Sequence, residues 1–234
     1  MIKAMILCAG FGKRLQPLTT KRPKPLLKID NRTLLSNTIN FLEKFGITQA
    51  VINVHHLGEQ IVDYVEKKNF NLDITIIREE EKILDTGGGV LNAIENFSKE
   101  PFLIINPDTI WNSSYLKELK IIYETFISNK KSKCFILVVD KNKSFDKKLK
   151  GDFNLKNNFI DRKDKTNLNY IYTGLQIIKP EVFSLFNEKV FSINKVWDQL
   201  IDNHELNGIE SDIDFLHVSS LDIYKKLSEK KFRH

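Results

Sequence analysis

The chain has 234 residues, 41% hydrophobic and 28% charged, with a net charge of +6 and two cysteines, Cys8 and Cys134. This composition excludes a disordered chain and a disulfide framework, and the longest apolar runs, in FLIIN and CFILVVD, fall far short of the ~20 residues that span a bilayer. The lysines are scattered among acidic neighbours, as in DKNKSFDKKLKGD and DRKDK, which argues against a nucleic-acid face.

The start, MIKAMILCAG, runs into a glycine loop too soon for a signal peptide, so a cytoplasmic location and a single domain over residues 1–234 are expected. KAMILCA (3–9) reads as a strand buried on both faces. TLLSNTINFLEKFG (33–46) follows as a helix, with Leu34, Leu35, Ile39, Leu42 and Phe45 near helical spacing and Gly46 just past its end. The alternation continues with QAVINV (strand), GEQIVDYVEKK (helix), LDITIIRE (strand), TGGGVLNAIENF (entering a helix) and PFLIIN (strand). After SYLKELKIIYETFISN (helix) and KCFILVV (strand), GDFNLKNNFIDRK reads as a hairpin turning at Asn157-Asn158. A strand YIYTGLQII, a helix near INKVWDQLIDNH, a strand DFLHVS and a last helix LDIYKKLSEKK complete the chain. The fold class implied is α/β: a Rossmann-like, doubly wound, mixed but mostly parallel sheet with a small β-rich insertion.

The loop after the first strand, GFGKRLQPLTTKRPKPLL, holds two glycines, five basic residues and no carboxylate. Glycines between a strand and a helix let backbone N–H groups approach an anion, and Gly10, Gly12, Lys13, Arg14 and Lys24 suit a phosphate. Pro23 and Pro25 fix the chain on either side of Lys24. A dinucleotide fingerprint fails because Leu15 stands where a third small residue is needed, and no Gly-Lys-Ser/Thr follows to make a P-loop. Lys21, Arg22 and Lys28 read as plain surface. Asp108 ends a strand at the carboxyl edge of the sheet, where it is either a magnesium ligand or a turn residue after Pro107. Asp85-Thr86-Gly87-Gly88-Gly89 is a second glycine-rich helix entry, either a base-contacting backbone or a helix start.

Gly10-Phe11-Gly12-Lys13-Arg14-Leu15, Pro17-Leu18-Thr19 and Pro23-Lys24-Pro25-Leu26 together resemble the N-terminal signature of the sugar-1-phosphate nucleotidyltransferases. The resemblance runs on through VINVHHLGEQI, DTGGGVLNAI, FLIINPDTIW, GDF and YTGLQII, and is closest to the short N-acetylmuramic acid 1-phosphate uridylyltransferases. It implies transfer of a nucleoside monophosphate from a nucleoside triphosphate to a sugar 1-phosphate. The expected substrates are UTP and N-acetylmuramic acid 1-phosphate in peptidoglycan recycling. Mannose 1-phosphate with GTP, or a non-catalytic nucleotide-binding homologue, is the alternative.

Carried onto this chain, the resemblance makes Arg14, Lys24 and Asp108 catalytic. Ala9, Gly10, Gly12, Lys13, Arg14, Lys24, Asp85, Thr86, Gly87 and Gly88 bind nucleotide, and Asp152, Gly174 and His217 meet the sugar phosphate. Mg2+, with Mn2+ as substitute, is expected on Asp108 and His217. His217 is a departure, since relatives carry a second aspartate there and imidazole is a poor magnesium ligand; the alternatives are a metal held by Asp108, substrate phosphates and water with His217 close by, recruitment of Asp212 or Asp214, or a shift in metal preference. His55, His56, Thr173, Lys163, Lys165, Asn194 and Trp197 are weaker candidates, each with an ordinary structural reading.

Overall fold

The computed structural model describes residues 2–79, 81–164 and 166–230. The first half comprises β1 (Lys3–Leu7), β2 (Lys28–Ile29), β3 (Arg32–Thr33), α1 (Leu34–Phe45), β4 (Gln49–Val54), α2 (Gly58–Lys67), β5 (Asp73–Arg78), α3 (Asp85–Ala93) and β6 (Phe102–Ile105). It is followed by α4 (Tyr115–Ser128), β7 (Cys134–Asp140), β8 (Asn154–Lys156), β9 (Phe159–Asp161), β10 (Tyr170–Ile178), α5 (Ile193–Asp202), β11 (Leu206–Ser211) and α6 (Leu221–Ser228). No helix among these residues is long and apolar enough to cross a membrane.

The main sheet has the order β5-β4-β1-β6-β10-β7-β11-β9-β8 among the described residues. Alternate side chains of its central strands enter different cores: Ala4, Ile6, Leu103 and Ile105 face α1, α2 and α4, while Met5, Phe102 and Ile104 face α3 and α5. A strand apolar on both faces is the expected result of this sandwiching. β1 pairs in parallel with β4 and β6, and β4 with β5. β10 is antiparallel to both β6 and β7, after which β11 resumes the parallel direction. The short β8–β9 hairpin extends the far edge as the β-rich insertion, and Asn157 and Asn158 turn it with φ of 50° and 64°. Two successive left-handed residues match the twist of a tight hairpin, and asparagine tolerates that region.

Helix α1 starts where the sequence marks it: Thr33 Oγ1 accepts the Ser36 N–H at 3.0 Å, and Gly46 closes it at φ +94°. Two differences from the sequence expectations concern strands. DFLHVS forms no ladder strand, only isolated bridges that join Phe215 to Ser144 and His217 to Thr109. The strand in this part of the chain is β11, LNGIES, whose Asn-Gly pair reads locally as a turn. Gly208 sits there because a Cβ would meet Ile160 Cδ1 at 2.4 Å, so tertiary packing overrides the turn signal.

Helix α6 closes the chain under the glycine loop. Leu15, Leu27, Ile29 and Leu34 pack with Val218, Ile223 and Leu227 in a core of their own. Burying a leucine of this kind contributes about 1.5–3 kcal/mol, enough to hold the loop against the body of the protein.

Candidate active site

Lys24 lies in a 3-10 turn, Lys24–Leu26, that follows the extended Pro23 and contains the buried Pro25. The turn is closed by the Leu26 N–H to Pro23 O at 2.9 Å and the Leu27 N–H to Pro23's neighbour Lys24 O at 3.0 Å. Its ammonium donates to Asp108 Oδ2 at 2.5 Å, and His217 Nε2 approaches the same oxygen at 3.1 Å. Asp108 Oδ1 is buried and has no partner. Burial raises the Asp108 carboxyl, but Lys24 and then His217 outweigh it and hold the group well below the usual carboxylate range. Backbone bonds fix both segments of this contact, Val218 N–H to Asp108 O at 2.8 Å and Ile110 N–H to Leu216 O at 2.8 Å.

The glycine loop rims one side of the cleft. Gly12 is left-handed at φ +62°, and a Cβ there would lie 2.9 Å from Thr19 Cγ2, while Thr19 Oγ1 donates to Gly12 O at 3.0 Å. At Gly10 a Cβ would meet nothing within 4 Å. Arg14 is exposed on the rim, and Lys13 lies over the Phe11 ring at 5.4 Å. Lys21, Arg22 and Lys28 are exposed, as a plain surface reading requires.

His55 and His56 tie this loop to its neighbours. His56 Nε2 bonds Thr19 O at 2.8 Å, and His55 Nδ1 bonds Glu79 O at 2.6 Å. Two residues absent from the sequence candidates complete the brace. Asn53, buried at the end of β4, accepts the Cys8 N–H at 3.0 Å and donates to Glu79 Oε1 at 2.7 Å, while Glu79 Oε2 accepts the Leu84 N–H at 2.8 Å. The signal was present: an asparagine within the apolar run VINV has to be satisfied by something distant.

The second glycine run behaves differently. Asp85 and Thr86 line the cleft, whereas a Cβ on Gly87 would strike the Phe191 ring at 2.5 Å and one on Gly88 would lie 2.2 Å from Lys189 O. The Gly88 N–H is already bonded to Phe191 O at 3.0 Å. Packing of the 189–193 segment against α3 thus accounts for these two glycines. Thr86 Oγ1 is engaged as well, accepting the Ile193 N–H at 2.9 Å.

Asp152, Gly174 and His217 are not on the lining of the cleft that holds Lys24 and Asp108; they lie next to it, on and around β10. Gly174 bulges at φ +94° against the Asn106 side chain, and its carbonyl accepts the Asn106 N–H at 2.8 Å. Asp152 Oδ2 accepts the Tyr172 N–H at 2.9 Å, and enclosure by the surrounding chain raises its carboxyl against the pull of Arg162 and His217. Thr173 is buried and braces Asp108's neighbour instead of opening to solvent: Thr109 Oγ1 donates to Thr173 O at 2.6 Å. Trp197 belongs to the core, donating to Gln176 Oε1 at 2.8 Å, and the exposed Asn194 accepts Arg162 Nη1 on its Oδ1 at 2.6 Å. Lys163 lies in an exposed turn, and Lys165 is outside the described residues. Both cysteines are buried, which raises their thiols and leaves them protonated.

The cleft has a volume of about 370 Å3, with Ala9, Gly10, Gly12, Lys13, Arg14, Lys24, Asp85, Thr86 and Asp108 on its lining. It sits at the carboxyl ends of β1 and β6, where parallel sheets collect ligands. Asn106, Pro107 and Ile83 also line it. Cations on the rim, open backbone at Gly10 and a carboxylate oxygen without a partner suit a polyphosphate with a hard divalent ion.

The nucleotidyl transferase family model matches residues 3–146. The chain is 27% identical to the N-acetylmuramate alpha-1-phosphate uridylyltransferase of Caulobacter vibrioides, covering 92% of this chain and 90% of that protein. It is 30% identical to the mannose-1-phosphate guanyltransferase of Debaryomyces hansenii over 100% of this chain and 70% of that protein. Against other yeast guanyltransferases it spans 54% of their length. In fold it resembles HddC from Yersinia pseudotuberculosis, with a TM-score of 0.76, 22% identity and coverage of 98% and 99% of the two chains. The glycine loop, the cleft and the matched residues agree, and the chain belongs to the nucleotidyl transferase family.

Proposed function

We propose that this protein transfers a nucleoside monophosphate from a nucleoside triphosphate to a sugar 1-phosphate, with UTP and N-acetylmuramic acid 1-phosphate as substrates in peptidoglycan recycling. The observation that carries the reading is the Lys24–Asp108 pair on the floor of the cleft, with Asp108 Oδ1 left unpartnered and Gly10 facing open space. The near full-length match to the uridylyltransferase supports the choice of UTP. The 30% identity to a mannose-1-phosphate guanyltransferase supports GTP with mannose 1-phosphate as the second reading.

In this reading a sugar phosphate oxygen attacks the α-phosphorus in line. The new P–O bond forms as the bond to the β-phosphate bridging oxygen breaks, and pyrophosphate leaves with that electron pair. The attacking phosphate is already largely dianionic at neutral pH, so positioning and charge neutralisation are the protein's main tasks. The Ala9, Gly10 and Gly12 backbone and Lys13 cradle the triphosphate, and Arg14 holds the departing pyrophosphate. Asp85 and Thr86 border the base and ribose. Lys24, held by Asp108, directs its other N–H donors toward the α-phosphate, where an ammonium offsets charge that develops during transfer. Asp152 and the Gly174 backbone receive sugar hydroxyls. Asp108 Oδ1 is the hard oxygen that would hold Mg2+, which supplies neutralisation of the triphosphate.

The test is pyrophosphate release across four nucleoside triphosphates and four sugar 1-phosphates. The highest kcat/KM is expected for UTP with N-acetylmuramic acid 1-phosphate. A maximum at GTP with mannose 1-phosphate establishes the second reading, and nucleotide binding without release in any combination identifies a non-catalytic homologue.

A further inference from the structure

We infer that His217 is a positioning residue and not a metal ligand: with Lys24 it occupies Asp108 Oδ2, leaving Asp108 Oδ1 as the single protein ligand of a divalent ion held mainly by nucleotide phosphates. The inference rests on the nucleotidyltransferase reading and deepens it. Lys24 Nζ at 2.5 Å and His217 Nε2 at 3.1 Å converge on one carboxylate oxygen. An ionised carboxylate only accepts, so the nitrogen facing it carries the hydrogen and has no lone pair left for a metal. The ring's other nitrogen, Nδ1, is buried without a partner, and with Nε2 aimed at Asp108 its lone pair points away from that carboxylate and from an ion held on Oδ1.

The backbone supports this geometry. His217 bridges Thr109, Val218 N–H bonds Asp108 O at 2.8 Å, and the imidazole stacks on Phe215 with centroids 5.4 Å apart and planes 12° apart. The ring is therefore held at the angle that directs Nε2 to Oδ2, which in turn leaves Oδ1 as the unsatisfied oxygen. Among the described residues no group of three or more His, Cys, Asp or Glu side chains is placed to hold a metal. Asp212 pairs with Lys143 at 2.9 Å, and Asp214 is exposed, so neither replaces a second carboxylate. A second carboxylate 3.1 Å from Asp108 would repel it without metal, whereas a donating imidazole attracts it in the empty site.

The probes are Mn2+ and the non-hydrolysable α,β-methylene analogues of UTP and GTP, with the full-length protein. Calorimetry first establishes which analogue binds, and electron paramagnetic resonance then counts bound Mn2+ with and without it. Mn2+ is expected to bind at least about tenfold more tightly when the analogue is present, since the phosphates supply most of its ligands. Pulsed resonance on the ternary complex of protein carrying 15N-labelled histidine should show phosphorus coupling and no directly coordinated nitrogen. His217→Gln, which keeps an N–H donor, should hold Mn2+ affinity within about threefold, while His217→Ala loses about tenfold or more. A directly coordinated histidine nitrogen, or a Gln variant as impaired as Ala, would overturn the inference while leaving the functional reading intact. Failure of both analogues to bind would overturn the functional reading and this inference with it.

Discussion

The two glycine-rich segments of the cleft have similar composition and opposite surroundings. At Gly10 an added methyl group would meet nothing within 4 Å, whereas at Gly88 it would lie 2.2 Å from the Lys189 carbonyl oxygen. The first glycine leaves space that the protein itself does not use, and the second is required because another part of the chain already fills the space. A glycine whose missing side chain collides with nothing points to a ligand, and one whose missing side chain collides with backbone points to packing. The same contrast divides the polar groups: Asp108 Oδ1 stays unpaired beside the open loop, while Thr86 Oγ1 is engaged beside the packed one.

The largest effect expected from this contrast lies on the open side. Lys24→Ala should lower turnover about a thousandfold and Arg14→Ala about a hundredfold with unchanged circular dichroism, because preorganised phosphate donors act on the transition state. Near-normal steady-state turnover in both variants would remove the open loop from the chemistry.

On the packed side the expected loss is in stability. Gly88→Ala forces a methyl group into the Lys189 backbone, an overpacking cost of about 1–3 kcal/mol that the higher helix propensity of alanine offsets by under about 1 kcal/mol. A net 1–2 kcal/mol corresponds to a drop in Tm of about 2–8 °C for a chain of this size, measurable by calorimetry. Gly10→Ala should do the reverse, leaving Tm unchanged and weakening nucleotide affinity about tenfold, the effect of about 1.4 kcal/mol of lost backbone approach. If Gly10→Ala lowered Tm and spared nucleotide binding, the distinction between the two loops would collapse.

The smallest effect concerns Asp152, beside the bulge at Gly174. Its surroundings raise the folded-state pKa, so ionisation at neutral pH costs stability, and this cost disappears as pH falls through the folded pKa and the carboxyl takes up a proton. Asp152→Asn should therefore raise Tm by about 1 °C at pH 7, with the gain shrinking toward pH 4, and raise KM for the sugar 1-phosphate. Thermal melts at the two pH values and steady-state kinetics read both changes.

Much of this molecule follows from local sequence. The limits of α1 are written in Thr33 and Gly46, the β8–β9 turn in Asn157-Asn158, and the position of Lys24 in its two prolines, because capping, left-handed φ and fixed φ are properties of a few adjacent residues. The basic glycine loop is likewise one continuous stretch, so its anion-binding character is legible without a fold. Three features were decided elsewhere. β11 carries an Asn-Gly pair that reads as a turn until β7 and Ile160 pack against it, and β10 runs against its neighbours for reasons no strand periodicity records. Gly87 and Gly88 look like an opening until the 189–193 segment is seen to close over them. The meeting of Lys24, Asp108 and His217 belongs to the same class, since those three side chains come from distant parts of the chain and share one oxygen only after the sheet has formed. Periodicity and turn chemistry encode backbone angles over a few residues, but which distant side chains share a space depends on how the layers pack.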